Sequence, residues 1–211
     1  VVSATATTGM YPLPRHDALP SPSGVRSYGP GRAVHRLPHG RRPLYYSAFL
    51  VTMAGLMGIT LTGDLFNVFV FLEISSLGSY TLISLGNDRR SLMAAFSYLI
   101  MGTIGATFLL IGIGFMYQAT GTLNMVDMAH RIQVVGPTKG ILVALAFVVV
   151  GISIKLAVFP LHHWLPNAYS FAPPVVSAFL ASTATKVAYY LLIRFTFGLF
   201  GAALVFETVG V

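Results

Sequence analysis

From Leu44 onward this chain is a succession of apolar stretches, each long enough to cross a bilayer. A hydrocarbon core takes about 20 helical residues, and a helix satisfies its backbone groups internally, which lipid cannot do for it. Asp, Glu, Lys and Arg together make up only 9% of the 211 residues and hydrophobic residues 55%, whereas an ordinary globular chain carries roughly 25% charged residues. So few charges cannot cover a soluble surface. The fold class is therefore all-α, a polytopic membrane helical bundle.

Five spans are expected. The first runs from about Leu44 to Thr62, with Gly63-Asp64 as a tight connection, and the second from Leu65 to Leu85. A polar turn, Gly86-Asn87-Asp88-Arg89-Arg90, precedes a third span from Ser91 to Gln118. A less apolar connection, 119–138, carries Asp127, His130 and Arg131. The fourth span starts near Lys139 and is interrupted at Pro160 and Pro166; the fifth covers Pro174 to Phe200.

Residues 1–43 are of another kind. Seven of the twelve prolines lie here with six arginines and no apolar run, and there is no apolar centre with a cleavage site as in a secretory signal. We expect two parts: a disordered or non-family segment, 1–43, and a five-helix membrane unit, 44–211. The net charge is +7. The arginines of the first segment follow no helical or strand period, so nucleic acid is set aside as a partner. By the positive-inside rule, Arg41-Arg42 and Arg89-Arg90 put their ends, and the 162–173 loop, in the cytoplasm. The expected location is the inner (plasma) membrane, multi-pass.

Ionisable groups within apolar spans carry the functional information, because each costs on the order of 2.5–3.5 kcal/mol at mid-membrane and must find a partner or a wet cavity. Glu73 lies about nine residues into the second span, with Ser76 and Tyr80 at i+3 and i+7 on the same helical face. Lys155 ends a long apolar run, and Pro160 five residues later cannot donate to the Leu156 carbonyl. A broken helix beside a buried charge is a feature of ion sites in transporters. Desolvation favours a neutral amine and an adjacent carboxylate favours an ammonium. A Glu–Lys pair whose separation changes is thus a physical proton switch. Lys186 shares its face with Ser182 and Tyr190, and His162 lies two turns beyond Lys155. A structural carboxylate, a snorkelling lysine, helix–helix glue and a structural histidine are the bland alternatives.

The chain has no Cys, which removes disulfides, thiolate metal sites and cysteine nucleophiles. It also has no phosphate loop, dinucleotide fingerprint, zinc motif or nucleophile elbow. No cofactor and no metal are expected. Any redox chemistry would belong to partner subunits.

Three segments resemble one family in its own order. Gly63-Asp64-Leu65-Phe66-Asn67-Val68-Phe69-Val70-Phe71-Leu72-Glu73 is similar to the fifth-helix segment of antiporter-like subunits. These are shared by Mrp-type cation/proton antiporters, respiratory complex I and membrane-bound hydrogenases. Lys155 through Pro160, His162, His163, Trp164 and Pro166 resembles the family's broken seventh helix, and Ala184-Thr185-Lys186-Val187-Ala188-Tyr189 its eighth. Gly121-Thr122-Leu123-Asn124-Met125 is most similar to the D-type subunits of Mrp antiporters. Residues 1–43 match nothing in it.

The resemblance implies a five-helix unit that recurs in inverted orientation. Glu73, Lys155, Lys186 and His162 would form a buried chain that moves protons. It implies a subunit of a multisubunit monovalent cation/proton antiporter or, alternatively, of the membrane arm of an NADH-quinone oxidoreductase or hydrogenase complex. Its partners would be other membrane subunits, protons, sodium and the bilayer. Only one unit is present, so a fragment is expected. Asn167 and Tyr169 stand where many members have Asp and His.

Overall fold

Proline is tolerated in the first turn of a helix, where its missing N–H would be unpaired anyway. Pro43 takes that place in α1, Arg42–Leu61, so the helix starts two residues before the expected Leu44. The computed structural model describes residues 41–86 and 88–201. Most of the 1–43 segment and Glu207 lie outside them. α1 is followed by α2 (Leu65–Ser84), α3 (Arg89–Thr120), α4 (Met125–Val135), α5 (Lys139–Leu156), α6 (Trp164–Phe171) and α7 (Pro174–Ile193), which a π-helical turn, Arg194–Leu199, extends. Five of these helices, with α7 and its extension counted as one, are long and apolar enough to cross a membrane, and the described residues hold no strand beyond an isolated bridge between Asp64 and Asn124.

Caps fix the helix starts. Asp64 accepts from the Asn67 N–H at 2.9 Å at the head of α2, and Asn124 from the Val126 and Asp127 N–H groups at the head of α4. Such side-chain oxygens satisfy donors that the first turn leaves orphaned. α4 lies in the stretch expected to be a plain connection. It buries Met125, Met128 and Ile132, and Arg131 ties it down by pairing with Asp127 at 3.0 Å and donating to the Thr120 carbonyl at 2.9 Å. Leu65 N–H to Leu123 O (3.0 Å) and Met125 N–H to Gly63 O (2.9 Å) then staple this connection to the α1–α2 turn.

The break in the fourth span lies earlier than Pro160. α5 ends at Leu156, and Ala157 takes a left-handed conformation (φ 59°, ψ 46°). The Ala157 N–H reaches Ile154 O at 3.2 Å and the Val158 N–H reaches Ser153 O at 3.0 Å. That pair of bonds is a Schellman ending, normally built on glycine. Pro160 follows in a turn, after a cis Phe159–Pro160 bond. The helix therefore does not open for want of a bond to Pro160; it has already closed off its end.

α3 packs most extensively on α5, and α1 on α2. One apolar core joins α1–α5 and α7 through residues such as Ile59, Val68, Leu109, Met128, Val148 and Phe195. At one end Arg90 lies 5.8 Å over the Phe171 ring, which brings the α2–α3 turn beside the loop after α5. The Asp64–Asn124 bridge marks the other end.

Candidate functional site

α2 carries Ser75, Ser76 and Ser79 in a membrane span with few other polar partners. Each hydroxyl donates back into its own helix, to Leu72 O at 2.9 and 2.8 Å and to Ser75 O at 2.8 Å. Their protons are thereby committed, and the lone pairs remain free to accept. Opposite them, the last turn of α5 delivers Lys155, only 8% exposed. Its ammonium donates to Ser76 Oγ at 2.6 Å and lies 3.5 Å from Glu73 Oε1. The Glu73 side chain is 25% exposed against 7% for Lys155, so the carboxylate is the wetter partner.

The end of α5 is held from behind. Trp164, the first residue of α6, donates its indole N–H to Ile154 O at 3.0 Å and stacks on Tyr98 of α3 with ring centroids 4.2 Å apart. Tyr98 meets the edge of Tyr80 of α2 at 4.7 Å. The broken-helix segment is thus keyed by aromatic contacts to the two helices around the charge pair.

Beside Lys155 lies a cavity of about 40 Å³, lined by Ser75, Ser76, Ser79, Tyr98, Lys155, Trp164, Tyr169, Thr185 and apolar side chains. A cavity needs about 10–15 Å³ to hold a water, so this space is large enough for at least one when polar groups hold it. Burial pushes the Tyr169 phenol up to about 12, with the Thr185 hydroxyl alongside pulling the other way. It can pass a proton through its hydroxyl but stays neutral at any ordinary pH. Neither Tyr169 nor Thr185 is marked as a site residue by the sequence, where the charge of the neighbouring Lys186 draws the reading away. The helical offset explains this: on α7, position 185 faces the cavity while position 186 faces outward.

Of the four expected site residues, the structure brings Glu73 and Lys155 together. Lys186 is exposed, its ammonium turned back to Ala181 O. His162 is exposed in the turn after the break, its ring 5.6 Å from that of Phe159. Neither lines the cavity. Among the described residues, no group of three or more His, Asp or Glu could hold a metal ion.

The comparisons with known proteins bear on the family and the fold. The family described as NADH:quinone oxidoreductase/Mrp antiporter, TM, matches residues 62–209. The N-type subunit of an NADH-quinone oxidoreductase from Desulforudis audaxviator is 48% identical over 81% of the chain and 35% of its own length. The D-type subunit of a Na(+)/H(+) antiporter from Bacillus subtilis is 38% identical over 72% of the chain and 31% of its own length. A chain of the archaeal membrane-bound sulfane sulfur reductase, a respiratory membrane complex, superposes with a TM-score of 0.72 at 31% identity, covering 77% of this chain and 33% of that one. The chain thus spans about a third of the length of the relatives it matches. Apolar spans, a helix broken behind a buried lysine and the family match lead to one conclusion: the chain belongs to the NADH:quinone oxidoreductase/Mrp antiporter transmembrane family.

Proposed function

We propose that this chain is a proton-translocating membrane subunit, working through the Glu73–Lys155 pair and without redox chemistry of its own. The observation that carries the reading is the buried Lys155 ammonium shared between a carboxylate at 3.5 Å and a hydroxyl at 2.6 Å. A charge in a membrane span normally faces a partner or a water path, and here both are within reach. When Lys155 leaves Glu73, the ammonium loses its counter-charge and releases its proton more readily.

Lys186 and His162 take outer stations in this scheme. Lys186 shares an exposed face of α7 with Ser182 and Tyr190, where it passes protons to a neighbouring unit or subunit, and His162 exchanges them with the cytoplasmic side. The unit, 44–211, works in the plasma membrane among other membrane subunits. The first assembly is a multisubunit monovalent cation/proton antiporter. A second is the membrane arm of an NADH-quinone oxidoreductase, favoured by the higher identity to the N-type subunit, 48% against 38%. Co-purifying subunits separate the two, small antiporter subunits on one side and iron–sulfur or flavin subunits on the other.

The test of proton translocation is Lys155→Met, assayed as proton flux in proteoliposomes holding the purified assembly. Flux should be lost while assembly persists. Flux at the unsubstituted rate would refute the reading.

A further inference from the structure

Glu73, Ser76 and Tyr80 stand at i, i+3 and i+7 on one face of α2, rungs of a polar ladder that spans two helical turns. The Lys155 ammonium occupies the first two rungs. The third makes no well-formed bond: the Tyr80 hydroxyl is the one buried side-chain polar atom among the described residues with no hydrogen-bond partner of good geometry, with the Ser76 hydroxyl close by. Buried hydroxyls almost always find a partner, and an orphan kept beside a buried ammonium calls for a reason.

The surroundings supply one. Tyr80 is 7% exposed, and its ring is held against Tyr98. Its hydroxyl rests directly on the bare backbone of Gly102 on α3. A Cβ at that position would collide with the Tyr80 hydroxyl and stand 3.4 Å from the Lys155 ammonium nitrogen. Both groups therefore border the same bare stretch of α3, with no side chain between them. An ammonium has three donors; Ser76 and Glu73 engage two of them. A phenol oxygen is a fit acceptor for such a donor and brings no charge that would hold it.

We propose that the Tyr80 hydroxyl is the second docking position of the Lys155 ammonium, along the side-chain-free surface of α3 at Gly102. Lys155 slides from Glu73–Ser76 to Ser76–Tyr80, keeps Ser76 as the common rung, and loses its counter-charge without losing its hydrogen bonds. Tyr80 is a positioning residue for that exchange. It rests on the proton-translocation reading above, and its position is tied to the helix break, since Tyr98 stacks on Trp164 and Trp164 bonds Ile154 O, one residue before Lys155. The ionisable groups around it are Glu73 on its own helix, Tyr98 on α3 and Lys155 on α5.

The test is Tyr80→Phe in the purified assembly, with Lys155→Met as reference. Phenylalanine keeps the ring packing and removes only the orphan oxygen, so thermal stability should hold or rise. Proton flux should fall at least about fivefold, and its pH profile should move to higher pH, because an ammonium confined to Glu73 gives up its proton less readily. A merely structural Tyr80 would lower stability on substitution and leave the profile in place. Gly102→Ala should destabilise, and Tyr80→Phe added to it should recover part of the loss, because the clash with the hydroxyl goes while the ring carbon stays 3.0 Å from the new methyl. Normal flux and pH profile in Tyr80→Phe, with Lys155→Met inactive, would overturn the second docking position and leave the translocation reading standing. Lack of rescue in the double variant would overturn the placement against Gly102. Full flux in Lys155→Met would take down both.

Discussion

Gly151 of α5 lies against Gly105 of α3 with no side chain between them: a Cβ on Gly151 would come within 2.7 Å of the Gly105 carbonyl oxygen and 2.8 Å of the Leu109 nitrogen. One turn further along each helix stand Lys155 and Gly102. A Cβ on Gly102 would stand 3.4 Å from the Lys155 ammonium nitrogen.

The Gly151–Gly105 contact gives a first prediction. Gly151→Ala must push two backbones apart, since neither neighbour is a side chain that can rotate away. The cost should be about 1–3 kcal/mol, the usual range for overpacking a tight site. A lowered melting temperature of the purified assembly, with reduced flux, is the expected outcome; unchanged melting would show that the two helices stand further apart.

The helix break gives a second. Ala157 sits at φ 59° in the Schellman ending of α5, a conformation that disfavours a Cβ and suits glycine. Ala157→Gly should be neutral or stabilising by up to about 1 kcal/mol, the left-handed relief being partly offset by a freer unfolded chain. Pro160→Ala should leave the α5 ending as it is, because the bonds that close it come from Ala157 and Val158. Accessibility of a cysteine placed at Val158 reports on this. A large change in Pro160→Ala would put the break back at the proline.

Tyr169 gives a third, in pH. Its phenol is raised to about 12 by burial, from an ordinary value of 10.0. A group raised in this way contributes stability that is fully present below pH 10 and lost as pH climbs through 12. Alkaline unfolding between those values should therefore be milder in Tyr169→Phe than in the unsubstituted protein. Identical alkaline melting curves would show that Tyr169 is solvated.

The spans and the Glu73–Lys155 pair are legible in the sequence, because apolar length and intramembrane charge are one-dimensional signals. Two features are not. α4 is hidden by its polarity, although the Asn124 cap and the spacing of Met125, Met128 and Ile132 mark it. For the ending of α5, Pro160 is the obvious breaker, whereas the left-handed alanine that actually ends the helix has no sequence signature. Thr185 and Lys186 show the limit of such reading: neighbours on a helix point about 100° apart, and only three-dimensional packing decides which of them faces the cavity.

A fourth prediction separates the two uses of Lys186. Methionine there removes the charge, and arginine keeps a charge that never leaves. Both variants should assemble, since the Lys186 ammonium bonds the Ala181 carbonyl of its own helix, and neither should translocate protons. An arginine variant with normal flux would show that position 186 supplies charge alone.

The most direct measurement is proton flux through proteoliposomes carrying Glu73→Gln. Glutamine keeps the size and hydrogen bonding of the side chain and takes away the counter-charge that Lys155 shares at 3.5 Å. Paired with Lys155→Met, it asks whether the two act as one device. Each single variant should lose at least about tenfold in flux, and the double variant should be no worse than either. Flux at the unsubstituted rate in Glu73→Gln, or losses that simply multiply in the double variant, would contradict a Glu73–Lys155 switch.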